Sequence, residues 1–336
     1  MAQARPSTAE FNAFLAPDEF RERGEEVELT PASAGRLALG LRWANSRGRK
    51  AHVSRARFAS VGQVDITSCL IRAEAEAKVS QVEAVLERSQ LTLGPLSPCT
   101  RGLSVAGWLS GRRMGMRSVP GGRLESAALA LEAVLWSGEV YRSHATPRSA
   151  TGPDLDFALL GAGDAVGLIT SAVLRGFPRP TTEDRTSIAL GAAAQAAQVL
   201  RDLIGHEALP ARAELSLHEG RPVLSAVFEN LAFRAHRDAG RLRAVAALHG
   251  AAESKHAVPK LDEAKLLREF EVAWDALPAV LELCAPAGAG LYRLARESVV
   301  VCSALELEGD GVVPLDAPPE SPGWLTQMAA SLRGEG

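Results

Sequence analysis

Two prolines separated by one arginine, Pro178-Arg179-Pro180, interrupt this chain just past its midpoint. Proline lacks a backbone N–H and has a fixed φ, so neither a helix interior nor a central strand runs through such a pair. The pair closes an apolar run, Gly167 to Phe177, and the hydrophobic pattern changes beyond it. It is therefore the expected domain boundary, in a chain whose 336 residues suffice for two domains of ordinary size. With 46% hydrophobic and 23% charged residues, each part has the balance to bury a core. The net charge of -3 gives no broad attraction to nucleic acid or an anionic membrane, so neither is expected as a partner. No apolar run reaches the length of about 18 residues that a membrane span needs. Met1 to Arg23 is polar and mixed in charge, unlike an export signal, so a cytoplasmic location is expected.

Residues 1–26 read as a leader with a short helix around Glu10 to Phe14. Val27 to Leu29 reads as a strand. A helix then opens with Thr30 as N-cap and Pro31 in its first turn, and ends at Gly48. A second helix is expected from Glu74 to Ser89, with Val79, Val82 and Leu86 on one face. Ala127 to Arg142 reads as a hairpin turning at Ser137-Gly138. Beyond the proline pair, Thr186 to Ile204 is alanine-rich with a helical period. Ala213 to Leu217 and Pro222 to Glu229 form a hairpin around Glu219-Gly220, with Glu214 and His218 facing water. Ala232 to Leu248 reads as a helix, Asp262 to Leu283 as a helical stretch broken by Pro278, and Ser298 to Leu307 as an apolar strand. Mixed helices and strands in both halves argue for an α+β architecture. Cys69, Cys99, Cys284 and Cys302 form no CxxC pair and lie far apart, so reduced, mostly buried thiols and no metal site are expected. Trp43, Trp108, Trp136 and Trp274 read as packing residues.

Two stretches carry a family resemblance. The first is Ser104-Val105-Ala106-Gly107-Trp108, followed by Leu109-Ser110-Gly111 and preceded by Leu91-Thr92-Leu93-Gly94-Pro95. The second runs from Pro147 through Gly152-Pro153-Asp154-Leu155 to Gly161-Ala162-Gly163-Asp164-Ala165, then Gly167-Leu168-Ile169-Thr170. Glycines at such points let backbone N–H groups approach a diphosphate closely, because no Cβ intervenes. In order and spacing these motifs resemble the FAD-linked oxidases with a PCMH-type (vanillyl-alcohol oxidase type) FAD-binding domain. Alkylglycerone-phosphate synthases and the FAD-binding subunit of glycolate oxidase are the members they resemble most.

The resemblance implies an α+β fold: a PCMH-type FAD-binding domain of two α/β subdomains over residues 27–180, then an α/β cap or substrate domain over 181–336. It implies FAD as cofactor, with Arg55, Ser60, Pro95, Ser104, Val105, Ala106, Gly107, Ser110, Gly161, Gly167 and Ile169 along its path. It implies an FAD-dependent oxidoreductase acting on a small hydroxy acid or a phosphorylated lipid precursor, an anionic small molecule, with homo- or hetero-oligomerisation left open. No catalytic residue is assigned. His52 and His144 lack the Gly-His-Ser setting of a covalent flavin attachment, and Tyr292-Arg293 suits an anionic substrate. The pattern departs at the first phosphate loop. Where the family has three central glycines, this chain has Arg55, Ala56 and Arg57, and Asp164 stands on another glycine position. Arg47, Arg49, Lys50, His52, Arg55 and Arg57 crowd one loop, and Arg112, Arg113, Arg117 and Arg123 another. Arg57, Arg112 and Arg113 are thus candidates to hold an anion. The alternative is a relative that kept the fold, lost FAD, and serves as a subunit or interaction module.

Overall fold

A computed structural model of the chain describes residues 16, 18–111, 127–146, 155–230, 232–254, 266, 268–294 and 298–315. Strands β1 (Phe20–Arg23) and β2 (Glu26–Leu29) pair antiparallel. Helix α1 (Ala34–Ser46) crosses over to β3 (Lys50–Val53), which lies parallel to β2. β1 therefore falls inside the stretch read as a leader, whose expected helix near Glu10 lies outside the described residues. The N-cap of α1 is Ser33, which accepts from the Arg36 N–H at 3.3 Å, and not Thr30. Buried Glu19 explains the later start: its carboxylate takes the Ala32 N–H at 2.7 Å, while its carbonyl takes that of Thr30 at 2.9 Å. The helix stops at Gly48, whose φ of +63° suits glycine. Its inner face buries Leu37, Leu41 and Trp43.

The next sheet holds β4 (Val61–Asp65) and β5 (Leu70–Glu74) and is covered by α2 (Val79–Glu87). α2 starts five residues later than its period suggests, because Glu74 is still in a strand. After β6 (Leu91–Thr92) come two short helices, α3 (Pro98–Gly102) and α4 (Val105–Ser110). The hairpin β7 (Ala128–Leu135) and β8 (Val140–Arg142) follows, then α5 (Asp156–Leu159), β9 (Gly167–Arg175) and β10 (Phe177–Pro178). The antiparallel order is β4-β5-β9-β7-β8, with β10 paired to β6. Trp108, Val82, Ile71 and Ile169 share its core. Gly167 is a glycine for packing reasons, since a Cβ there would lie 2.7 Å from the Val134 carbonyl oxygen. Val134 and Leu168 also reach the core beneath α1, joining the two sheets.

The second half is one antiparallel sheet with helices on one face. Its elements are β11 (Thr182–Ala189), α6 (Gln195–Gly205), β12 (Arg212–His218), β13 (Arg221–Asn230), α7 (Ala232–Leu248), β14 (Ala252–Glu253), β15 (Arg268–Ala273), α8 (Leu277–Cys284), β16 (Ala289–Leu294), β17 (Ser298–Ser303) and β18 (Val312–Pro314). The order is β14-β11-β13-β12-β16-β17-β15-β18. Two expectations change here. Thr186 to Ile204 opens as strand β11, because residues 182–189 are bonded along their length to β13, and only then becomes helix. The stretch toward Leu283 contains strand β15 before α8, and Pro278 sits in the first turn of α8, where its missing N–H breaks no bond. Residues 262–265 of that stretch lie outside the described residues.

Along each strand, alternate residues face opposite ways. Leu215, Phe270, Val272, Leu291, Val299 and Val301 pack with α6, α7 and α8 in one core. Glu214, Glu269, Tyr292 and Cys302 lie on the other face. Glu214 is thus buried, contrary to the expectation that it faces water. Arg185 at 3.2 Å, from β11 two strands away, with Arg212 at 3.7 Å in the same strand, makes burial of the charge tolerable.

Candidate functional site: a cleft closed by its own side chains

Three segments that carry the sequence motifs meet at one place: loop 54–60, helix α4, and the turn at 160–165. Ser104 caps α4, accepting from the Gly107 N–H at 3.2 Å. The Gly161 N–H donates to the Leu109 carbonyl at 2.9 Å, and the Gly163 N–H to that of Ser110 at 2.6 Å. Positive φ at both glycines lets the turn lie this close to the helix end. Ala106 is fully buried, and its N–H is bonded to the Ala75 carbonyl, as that of Val105 is to Ala77. The Ser110 hydroxyl donates to the Ala106 carbonyl at 2.7 Å.

Loop 54–60 closes this place. Arg55 donates through Nη1 to Asp164 Oδ1 at 3.0 Å, and its Nε lies 3.3 Å from Glu76 Oε1. The guanidinium is largely buried, with the side chain 16% exposed. The Phe58 N–H turns back to the Arg55 carbonyl at 2.8 Å, and the phenyl ring is buried. Ser60 is held by Glu74, which accepts its N–H at 2.9 Å and also its hydroxyl. An anion nest needs successive N–H groups turned inward by left-handed residues. No residue of 54–60 has a positive φ. One arginine faced by two carboxylates leaves no net positive charge for a diphosphate. These residues therefore do not fit FAD in the glycine-cradled manner of the family.

Of the other expected site residues, Gly167 and Ile169 are interior to β9. Pro95 lies apart, on a cavity between the two halves. Arg57 pairs with Asp18, and the guanidinium holds the Asp18 carboxyl below the usual carboxylate range. Arg47 and Arg49 stack over Trp43 at 4.9 and 5.8 Å, and His52 lies 3.2 Å from Glu26. The first basic cluster is thus distributed over separate local partners. Arg112, Arg113, Arg117, Arg123 and Asp154 lie outside the described residues. His144 lines a small pocket with Arg72 and Glu132.

The cavity beside Pro95 has a volume of about 470 Å³, and buried Tyr292 forms part of its wall. Arg101, Arg179 and Arg212 line it, against Glu83, Glu87, Glu183 and Glu229, so four carboxyls face three guanidiniums. Burial pushes the Glu83 carboxyl up, against the lowering effect of bonds from Thr92 and the Leu93 N–H. Sequence reasoning missed one further grouping. Cys99 and Cys302, about 200 positions apart, meet around Glu269 across the two halves. No local spacing announces it, because the contact arises only from docking α3 onto the second sheet.

Residues 23–144 match the family described as FAD binding domain. Alkyldihydroxyacetonephosphate synthase of Caenorhabditis elegans is 26% identical over 117 residues, 35% of this chain and only 20% of that protein's length. Among solved structures, an alkyldihydroxyacetonephosphate synthase aligns with a TM-score of 0.67 at 12% identity, over 100% of this chain and 82% of its own. p-Cresol methylhydroxylase with substrate bound gives 0.63 at 13% identity, over 97% and 85%. At such identities the structural likeness establishes the fold. It is the mixed helix-and-sheet fold of PCMH-type FAD-binding flavoproteins, as the sequence resemblance implied.

Proposed function

We propose that this chain is an FAD-binding oxidoreductase-like protein whose ligand cleft lies between loop 54–60, α4 and the turn at 160–165. The observation that carries the reading is the joining of α4, which lies inside the region matching the FAD binding domain, to the turn beyond that region by the Leu109–Gly161 and Ser110–Gly163 bonds. When bound in such a fold, a flavin supplies the redox chemistry and the protein supplies position and electrostatics. Arg55 occupies the loop where a flavin diphosphate would lie. The residues of this chain hold the cleft shut: Arg55 ties the loop to Asp164 and Glu76, and Phe58 anchors it from below.

The substrate class we propose is a small hydroxy acid or a phosphorylated lipid precursor, the latter in keeping with the name of the Caenorhabditis elegans relative. The cavity beside Tyr292 has the size of a small-molecule site and lies between the two halves, where such sites occur. Its guanidiniums suit a carboxylate or phosphate, provided the ligand displaces the carboxylates that now face them.

The Arg55–Asp164–Glu76 bridge favours a second reading, a relative that kept the fold and lost cofactor and catalysis. Absorbance of the purified chain decides between them. A yellow protein, with bands near about 370 and 450 nm, or one stabilised by added FAD, supports the first reading. A colourless protein whose melting temperature is unmoved by FAD, ADP and pyrophosphate overturns it. The D164N/E76Q double variant refines the outcome: anion binding that appears only there identifies the bridge as the barrier.

A further inference from the structure

The grouping between the two halves brings together three side chains that can ligate a metal. Cys99 Sγ, a carboxylate oxygen of Glu269, and Cys302 Sγ all lie within 4.8 Å of one another. Glu269 and Cys302 are directly opposite in the register of β15 and β17, so both side chains project from one face of the sheet. Cys99 comes from α3, which docks onto that face. Zinc bound tetrahedrally, with Zn–S near about 2.3 Å and Zn–O near about 2.0 Å, sets S···O at roughly 3.5 Å and S···S at roughly 3.8 Å. Cys302 Sγ stands 3.6 Å from Glu269 Oε1. Glu269 is 2% exposed and Cys302 fully buried, while Cys99 is partly exposed.

The donor chemistry narrows the ion. Two thiolates select a borderline-soft metal, and one carboxylate is an ordinary fellow ligand for zinc. The carboxylate is also oriented by its surroundings. Ser97 Oγ and Thr100 Oγ1, the latter at 3.3 Å, donate to the same Glu269 oxygen. Supporting hydrogen bonds of this kind hold metal ligands in place. The Leu266 carbonyl oxygen lies 3.2 Å from Cys99 Sγ.

We propose that Cys99, Cys302 and Glu269 bind one zinc ion, with the Leu266 carbonyl or a water as fourth ligand. The ion ties α3 to strands β15 and β17, across the junction of the two halves. This site is separate from the flavin question and stands whether or not FAD binds.

The test uses the full chain, purified under reductant from zinc-supplemented culture. Elemental analysis should find about one zinc per chain. The metal-free chain titrated with cobalt(II) should develop thiolate-to-metal charge-transfer absorption. C99S and C302S should lose both signals, and C69S should keep them. S97A, which removes a hydroxyl from Glu269, should weaken zinc binding about 10- to 100-fold. Should C302S fail to fold, C99S and the cobalt spectrum of the unmodified chain still decide. Metal content near zero with no cobalt charge-transfer band overturns the proposal. So does equal zinc content in C99S and the unmodified chain.

Discussion

At the residue scale, this chain repeatedly settles charge within the protein. Arg55 stands where the related fold has glycine, and Asp164 stands on a second glycine position. The sequence contained both substitutions, but not that they would meet at 3.0 Å. Glu214 escaped sequence reading because Arg185 lies on β11, which only the sheet order brings alongside; Arg212, two residues earlier on the same face of β12, is the part of the arrangement that strand periodicity announces. Glu19 is the plainest case. Burial would raise its carboxyl, but the Ala16 and Ala32 N–H groups and Arg36 outweigh burial and hold it below the usual range. A carboxyl lowered in the folded state stabilises above its unfolded value, and that stability is lost as pH falls through the folded value. We therefore expect Glu19→Gln to cost about 2 kcal/mol at neutral pH, read as a lower melting temperature. The gap between variant and parent should close as the pH is lowered past the carboxylate range. A gap independent of pH would refute the ionic role.

At the element scale, the hairpins were legible and the helix-to-strand transitions were not. β7–β8 and β12–β13 announced themselves through Ser137-Gly138 and Glu219-Gly220, turn chemistry that works locally. β11 hid within an alanine-rich stretch because its strand character comes from β13 beside it, not from its own propensities. The start of α1 was misplaced for a similar reason. Thr30-Pro31 is a sound local signal, but Glu19 claims the backbone donors just before Ser33. Ser33→Ala should accordingly destabilise by about 1 kcal/mol, the ordinary loss for an N-cap. Thr30→Ala should stay within about 0.5 kcal/mol, as a position outside the cap. Chemical denaturation of both variants checks the assignment, and the reverse ranking would restore Thr30 as the cap.

At the scale of the whole molecule, the large cores are separate. One lies among Trp108, Val82 and Ile169, the other among Leu281, Phe270 and Val301. No local signal in the sequence reports how two such bodies dock, which is why the cavity beside Tyr292 and the Cys99–Cys302 contact were out of its reach. The family motifs, by contrast, placed α4 and the 160–165 turn in one fold before any coordinates. Separate cores imply separable cooperativity. Leu281→Ala should cost about 2 to 5 kcal/mol in the second core and lower the transition of that half selectively. Calorimetry that finds one transition, shifted as a unit by this change, would mean that docking couples the halves fully.

The eight-stranded sheet carries a last consequence. Its outermost described strands, β14 and β18, are two and three residues long. Each covers only part of the strand inside it, β14 pairing with Ile188 and Ala189 of β11 and β18 with Phe270 to Val272 of β15, so the margin is divided into short segments, and short edge strands are a recognised defence against aggregation. The outermost described strands of this sheet therefore offer a foreign strand templates of only two and three residues.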